Sequence, residues 1–251
     1  MKRLLAWVLA VSLCLFGCQA SKPGKTDLYV LAAASLKESF TDIGTQFEKE
    51  HPNIQVVPVF AGSQDLALQI KQQAPCDVFA SADLRQMKVA ESSFRINAAN
   101  VIQFAQNQLA VAASAHSKVK TFQDLAKPGV KVVLADSKVP AGAYGLLLLA
   151  KVSPQFQTAV LKNVASYETD VRSVLTKVEL GEADCGIVYE TDERVAKGIR
   201  EIAVPAGAEV GSQYYIAALQ GPNIALAKQF VSFVMSEKGQ KTLEDRGFKV
   251  R

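Results

Sequence analysis

From residue 27 onward, short apolar runs alternate with longer stretches in which apolar residues return every third or fourth position. DLYVLAAA reads as a strand, and Leu36, Phe40, Ile43 and Phe47 then recur at helical intervals until His51-Pro52-Asn53 stops the helix. IQVVPVFA is the next strand, followed by a helix through Leu66 and Ile70 that ends near Ala74-Pro75, because a residue before proline avoids the helical region. DVFASA, a helix around Leu84 to Ser92, QLAVAAS, KVVLAD, helices at 141–152 and 170–180, GIVYET, the strand YYIAAL and helices at 222–236 and 238–246 continue the alternation. Strand, helix, strand predicts parallel βαβ units. Eight or nine candidate strands exceed the roughly six of an ordinary sheet, so the pattern predicts an α/β protein with two sheets.

In open α/β sheets, ligands bind outside the carboxyl ends of the strands, where helix N-termini present free N–H groups and the positive end of the macrodipole. Six such junctions stand out. AAASLKES places Ser35 and Glu38 at capping-box spacing. In FAGSQDL, Gly62 lets the chain turn and Ser63 opens the next helix; SADLR is centred near Ala82. In VPAGAYG, Pro140 suits the first helical position, and Ala141 and Gly142 leave N–H groups uncovered. ETDVRS starts a helix near Val171, and GIVYETD delivers the phenol of Tyr189. Taken singly, the serines read as caps, Ala141 and Gly142 as packing, Val171 as core and Tyr189 as a half-buried strand residue. Together they make a pocket of neutral hydrogen-bond donors, which suits a fully deprotonated oxyanion.

Catalytic equipment is sparse. The two histidines, His51 and His116, fall in no metal-ligand spacing, and no GxSxG elbow, Walker loop or GxGxxG fingerprint occurs. Asp65, Asp83 and Asp170 read most simply as first-turn helix residues, an acid–base pair among them being the alternative.

The first residues stand apart. MKRLLAWVLAVSLCLFGC has two basic residues, an apolar run of about a dozen and a small residue before cysteine, the layout of a secretory leader. LFGC resembles a bacterial lipobox, which predicts a signal peptide over 1–17, a lipidated Cys18 and a tether over 18–26. An uncleaved anchor or an ordinary cleaved signal is the alternative. Such a protein sits in the periplasm or on the outer face of the cytoplasmic membrane, held by its lipid. Losing Lys2 and Arg3 lowers the formal charge from +4 to +2, with no clustered Lys and Arg of the kind that binds nucleic acid. Cys76 and Cys185 each precede a strand-like run and either pair or stay as buried thiols.

AAASL, FAGSQDLALQI, APCDVFASAD, VPAGAYG, YETDVRSVL and GEADCGIVYETD, in this order, resemble the molybdate-binding proteins of bacterial ABC transporters, the ModA type. The resemblance runs from residue 27 to the terminal RGFKV. It implies a two-lobed type II periplasmic-binding-protein fold, each lobe a mixed, mainly parallel sheet flanked by helices, with the ligand cleft between lobes. Lobe I is expected over 27–105 plus 217–251 and lobe II over 106–216. The hydroxyls of Ser35 and Ser63 and the N–H of Ala82 would come from lobe I; the N–H groups of Ala141 and Val171 and the Tyr189 hydroxyl from lobe II. All are expected as oxyanion contacts rather than direct metal ligands. At Gly62 some relatives carry another small or hydroxyl residue, so one secondary contact is expected to be missing.

The resemblance further implies a monomeric binding protein, neither an enzyme nor a cofactor carrier. Its cargo is molybdate or tungstate and its partners an ABC permease and that permease's ATPase. Sulfate would be rejected by cavity size. Three alternatives remain open: a binding protein for another anion, whether sulfate, phosphate, which needs an acceptor, or an organic acid, which needs an arginine fork such as Arg172; a secreted enzyme on the same fold, using Asp170 or Tyr189; and a regulatory effector domain, against which stand the leader and the lack of a helix-turn-helix segment.

Overall fold

The computed structural model describes residues 24–250. The expected leader, the expected lipidation site Cys18 and all but the last three residues of the expected tether lie outside the described residues. The chain opens with β1 (Thr26–Ala33), a 3-10 turn (Ala34–Leu36), α1 (Lys37–Glu50), β2 (Ile54–Ala61), α2 (Ser63–Lys71), β3 (Val78–Ser81) and α3 (Leu84–Glu91). The long β4 (Ile102–Ser114) then leads into β5 (Val132–Ala135), α4 (Pro140–Val152), α5 (Pro154–Lys162), β6 (Val164–Glu168) and α6 (Val171–Glu179). After these come β7 (Cys185–Tyr189), the short α7 (Glu190–Glu193) and β8 (Ile199–Ile202). The chain returns through β9 (Gly211–Ala218) to α8 (Ile224–Met235) and α9 (Glu237–Asp245).

The strands run β2-β1-β3-β9-β4-β7-β5-β6, with β8 also on β4. Physically these are two sheets sharing β4: its first half, to Gln108, pairs with β9, and Leu109 to Ala113 pair with β7. Parallel pairing is confined to β1 with β2 and β3 and to β5 with β6 and β7, and every pairing made by β4 or β9 is antiparallel. The crossovers therefore place the carboxyl ends of β1, β2, β3, β5, β6 and β7 where helices begin. Pro58 is tolerated because β2 is an edge strand.

Each sheet is covered on both faces. In β1, Leu28, Val30 and Ala32 pack into one core while Leu31 packs into another, which is why the strand reads as a continuous apolar run. The first core joins α1, α8 and α9 to the sheet through Phe40, Phe47, Phe104 and Phe230, with edge-on rings 5.7 Å apart for Phe40 and Phe104. Burying each such ring is worth about 2 kcal/mol. On the opposite face Leu66, Ile70 and Met87 seat α2 and α3. The second lobe has its own core around Val111, Val133, Leu148, Val174 and Ile187.

The boundaries expected at 105/106 and 216/217 fall inside β4 and β9, which pass through rather than end there. Val210 packs in the second core and Tyr214 and Ile216 in the first, so the crossing falls at the start of β9. The α5, β6, α7 and β8 segments are additions to the expected element order. Cys76 and Cys185 are free thiols in separate cores, each pushed up to about 12 by burial. Among the described residues no helix is long and apolar enough to cross a membrane.

Candidate functional site

Ser35, Ser63, Ala82, Ala141, Val171 and Tyr189 line one small cavity of about 10 Å3, and none is more than 4% exposed. A larger, open depression beside Pro128 and Lys162 lies at the opposite, amino-terminal ends of β5 and β6.

The helices that meet here begin with their backbone uncovered. The first turns after Ala33, Gly62 and Val139 have no side-chain cap. Ala141, in the first turn of α4, and Val171, the first residue of α6, have no intrahelical acceptor for their N–H groups. Gly142 is required here: a Cβ would lie 2.1 Å from the carbonyl oxygen of Asp136. Asp170 caps α6 by accepting from the N–H groups of Arg172 and Ser173 at 2.8 and 2.9 Å, which leaves the Val171 N–H outside the cap.

The hydroxyls depart from the expected arrangement. Ser35 does not form a capping box with Glu38. It sits in the 3-10 turn, its Oγ lies 2.8 Å from Tyr214 Oη, and Glu38 pairs with Arg172 instead. Ser63 is the first residue of α2, not its cap, and its Oγ accepts the Ala82 N–H at 3.1 Å. The Ala82 N–H expected to face the ligand is therefore occupied in this structure. Tyr189 Oη is buried without a hydrogen-bond partner among the described residues, and burial pushes its phenol well above the usual value. An orphaned buried hydroxyl costs about 1–3 kcal/mol unless something else meets it.

The carboxylates are committed elsewhere. Asp83 caps α3 through the Gln86 N–H at 2.7 Å, and burial raises its pKa; Asp65 lies in the first turn of α2. Asp170, which does line the cavity, spends its second oxygen on the Ser173 hydroxyl at 2.8 Å. Arg172 is equally committed: its Nε lies 2.8 Å from Asp192 Oδ1, and its Nη2 pairs with Glu38. Asp192 is fully buried and pushed up to about 6, desolvation outweighing the pull of Arg172. Among the described residues no group of three or more His, Cys, Asp or Glu is placed to hold a metal ion.

The model of the family described as bacterial extracellular solute-binding protein matches residues 28–249. The molybdate-binding protein ModA of Mycobacterium tuberculosis is 39% identical over 230 residues, covering 90% of this chain and 85% of the relative. The chain belongs to the ModA family of bacterial extracellular solute-binding proteins. Two solved structures share the fold. The periplasmic molybdate-binding protein of Azotobacter vinelandii is 21% identical with a TM-score of 0.77, covering 89% of this chain and 99% of that one. The sulfate-binding protein SubI of Mycobacterium tuberculosis is 17% identical with a TM-score of 0.78, covering 90% and 87%.

As a ModA-family member the chain is a binding protein rather than an enzyme, and its lobes touch across the cleft. Gln64 Nε2 donates to the Thr169 carbonyl at 2.7 Å, Arg85 Nη2 and Gln86 Nε2 each donate to the Lys138 carbonyl at 2.9 Å, and Glu38 meets Arg172. Gly62 belongs to this closure: a Cβ there would sit 2.4 Å from the Thr169 oxygen, so the glycine marks a close approach of the lobes. These straps were not among the expected site residues. Neither was Tyr214, which touches Ser35 from 179 positions away and reads in sequence as an ordinary strand tyrosine.

Proposed function

We propose that this ModA-family protein captures molybdate, and tungstate of the same charge and nearly the same size, as a dianion closed between its lobes. It then presents the closed form to an ABC permease whose ATPase drives uptake. Ser35 and Ser63 meet the anion from lobe I, joined by the Ala82 N–H once it exchanges Ser63 Oγ for the anion, and Ala141, Val171 and Tyr189 meet it from lobe II. The protein works as a monomer, lipid-anchored at Cys18 on the outer face of the cytoplasmic membrane or in the periplasm. The observation that carries this reading is the convergence of uncapped helix starts and the orphaned Tyr189 hydroxyl on a small cavity whose one carboxylate, Asp170, already accepts three hydrogen bonds.

Such a cavity offers donors without a formal charge, and preorganised donors in a water-free site bind an oxyanion tightly. Hydrogen phosphate would bury an O–H with no carboxylate to accept it, a cost of about 1–3 kcal/mol. An organic acid would want a free guanidinium, and Arg172 is held by two carboxylates. Sulfate has the right charge but shorter bonds, leaving donors out of reach. The named function of the Mycobacterium tuberculosis relative supports the same choice.

Isothermal titration of residues 19–251 with molybdate, tungstate, sulfate and phosphate tests it. Tight one-to-one binding of the first two alone, weakened in Ser63→Ala, is the expected result. Preference for sulfate or phosphate, or no heat from any of the four, would sink it.

A further inference from the structure

A serine hydroxyl can donate or accept, so a cavity selective for a fully deprotonated anion needs something to fix which it does. Behind Ser35 the structure holds a short polar chain. Tyr214, on β9 and fully buried, places Oη 2.8 Å from Ser35 Oγ. Asn107, on β4 and 3% exposed, places Nδ2 3.5 Å from the same Oη and 2.8 Å from Thr191 Oγ1. The orientation of the Asn107 amide is set by its own oxygen, which accepts the Gln108 N–H at 2.9 Å. Its nitrogen is therefore the end that faces Tyr214, and an amide nitrogen donates only.

The direction of the chain follows. Among the described residues the Tyr214 hydroxyl has hydrogen bonds to Ser35 and Asn107 only, and Asn107 cannot take its proton. Of its two bonded partners, only Ser35 Oγ can accept. With that oxygen receiving the Tyr214 proton, the single proton of Ser35 is left for the cavity. Burial raises the Tyr214 phenol above its ordinary value, so the donor persists at any pH the protein meets.

We infer that Tyr214 is a positioning residue that fixes the Ser35 hydroxyl as a donor toward the bound oxyanion, with Asn107 fixing Tyr214 in turn. The inference rests on the reading of Ser35 as an anion contact. It gives the site a means of telling a dianion from a protonated anion of similar size. A hydroxyl free to rotate would donate to the first and accept from the second. One held from behind by Tyr214 presents its proton to both, which an O–H on the anion opposes. Asn107 and Tyr214 lie on the two strands that cross between lobes, so this setting is built into the hinge rather than borrowed from a mobile loop.

The test is a double-mutant cycle read by isothermal titration with molybdate and with phosphate, using wild type, Tyr214→Phe, Ser35→Ala and the double variant. Tyr214→Phe is expected to lower molybdate affinity about tenfold, and to change it less than twofold when Ser35 is already alanine. It is also expected to narrow the ratio of molybdate to phosphate affinity, which a loss of packing would not do. Additive losses, or a Tyr214→Phe protein that binds both anions as wild type does, would overturn the inference.

Should Tyr214→Phe not fold, NMR of the molybdate-bound wild type decides. A slowly exchanging Tyr214 hydroxyl proton close to the Ser35 β protons is expected, and a rapidly exchanging one would overturn the assignment. A wild type that binds a different anion of the four overturns the molybdate reading alone, and the cycle is then run with the anion that binds. A wild type that binds none overturns both.

Discussion

Glu38, in the first turn of α1, and Arg172, the residue after Val171, form an ion pair across the cleft. The two helices that start at the cavity are thereby tied by charge as well as by any anion they share. Arg172 also neutralises Asp192, which has no exposed surface of its own. In Arg172→Gln the closed form loses its charged strap, and molybdate dissociation is expected to accelerate roughly tenfold with little change in association, as stopped-flow measurement would show. The variant also leaves a buried carboxyl already pushed to about 6 without its cation. A raised carboxyl pKa favours folding below that pKa and loses the contribution as pH rises through it. The deficit in melting temperature should therefore widen from pH 6 to 8, and Asp192→Asn in the same chain should restore the melting temperature but not the slow release.

Gly62→Ala separates closure from folding. The added methyl meets the Thr169 backbone oxygen at 2.4 Å only when the lobes are together. Gly62 is buried between the closed lobes but belongs to none of the hydrophobic cores, so the ligand-free protein is expected to melt within about 2 °C of wild type. Molybdate affinity should fall by one to two orders of magnitude, roughly 1.4–2.8 kcal/mol. A variant that binds as tightly as wild type would show that the cleft yields at this point.

Tyr189→Phe removes a buried hydroxyl that has no hydrogen-bond partner among the described residues. Its absence should leave the ligand-free melting temperature unchanged or slightly higher. Because a hydrogen bond to a charged group is worth about 1.5–3 kcal/mol, affinity for the anion is expected to drop at least tenfold. Loss of both stability and affinity would instead assign the hydroxyl to the fold.

Away from the cleft, Glu193 has a buried oxygen without a partner among the described residues, and Glu201, Glu190 and Asp192 surround it; desolvation first and Glu201 next push it up to about 8. Its contribution to stability is full below the ordinary carboxylate range and is lost as pH rises through 8. Glu193→Gln escapes that loss, so the variant should gain roughly 1–2 kcal/mol over wild type at pH 8, a few degrees in melting temperature, and no gain at pH 4.5. Melting curves across this range check the sign.

What could be read in the sequence was whatever a short window contains. Ser35, Ser63, Val171 and Tyr189 each sit where an apolar run meets a helical period, and the structure gathers all of them at one cavity because parallel crossovers bring such junctions to one edge. What escaped depends on distant partners. The Ser35–Glu38 spacing suited a cap, but Tyr214 and Arg172 claim the two side chains, and neither partner is visible within a helix turn. The α5 and β6 segments were passed over because β6 is an edge strand with alternate residues exposed, too polar to register as an apolar run. The lobe boundaries blurred for a related reason: β4 and β9 stay strand-like through the hinge, leaving no composition change to mark it.

The order of strands also sets an order of assembly. β9 is the last strand of the chain, yet it lies in the interior of the first sheet, between β3 and β4. A chain emerging from its amino end reaches residue 210 with all the strands of the second lobe in hand, while β3 and β4 still lack the strand that joins them. Pairings so far apart in sequence form slowly. The second lobe can thus fold as a contiguous unit while the first waits, its strand edges unpaired and open to the wrong partners. β9 also carries Tyr214, so the strand that completes the sheet brings in the hydroxyl that contacts Ser35, and that contact of the cavity forms only once the two ends of the first lobe have met.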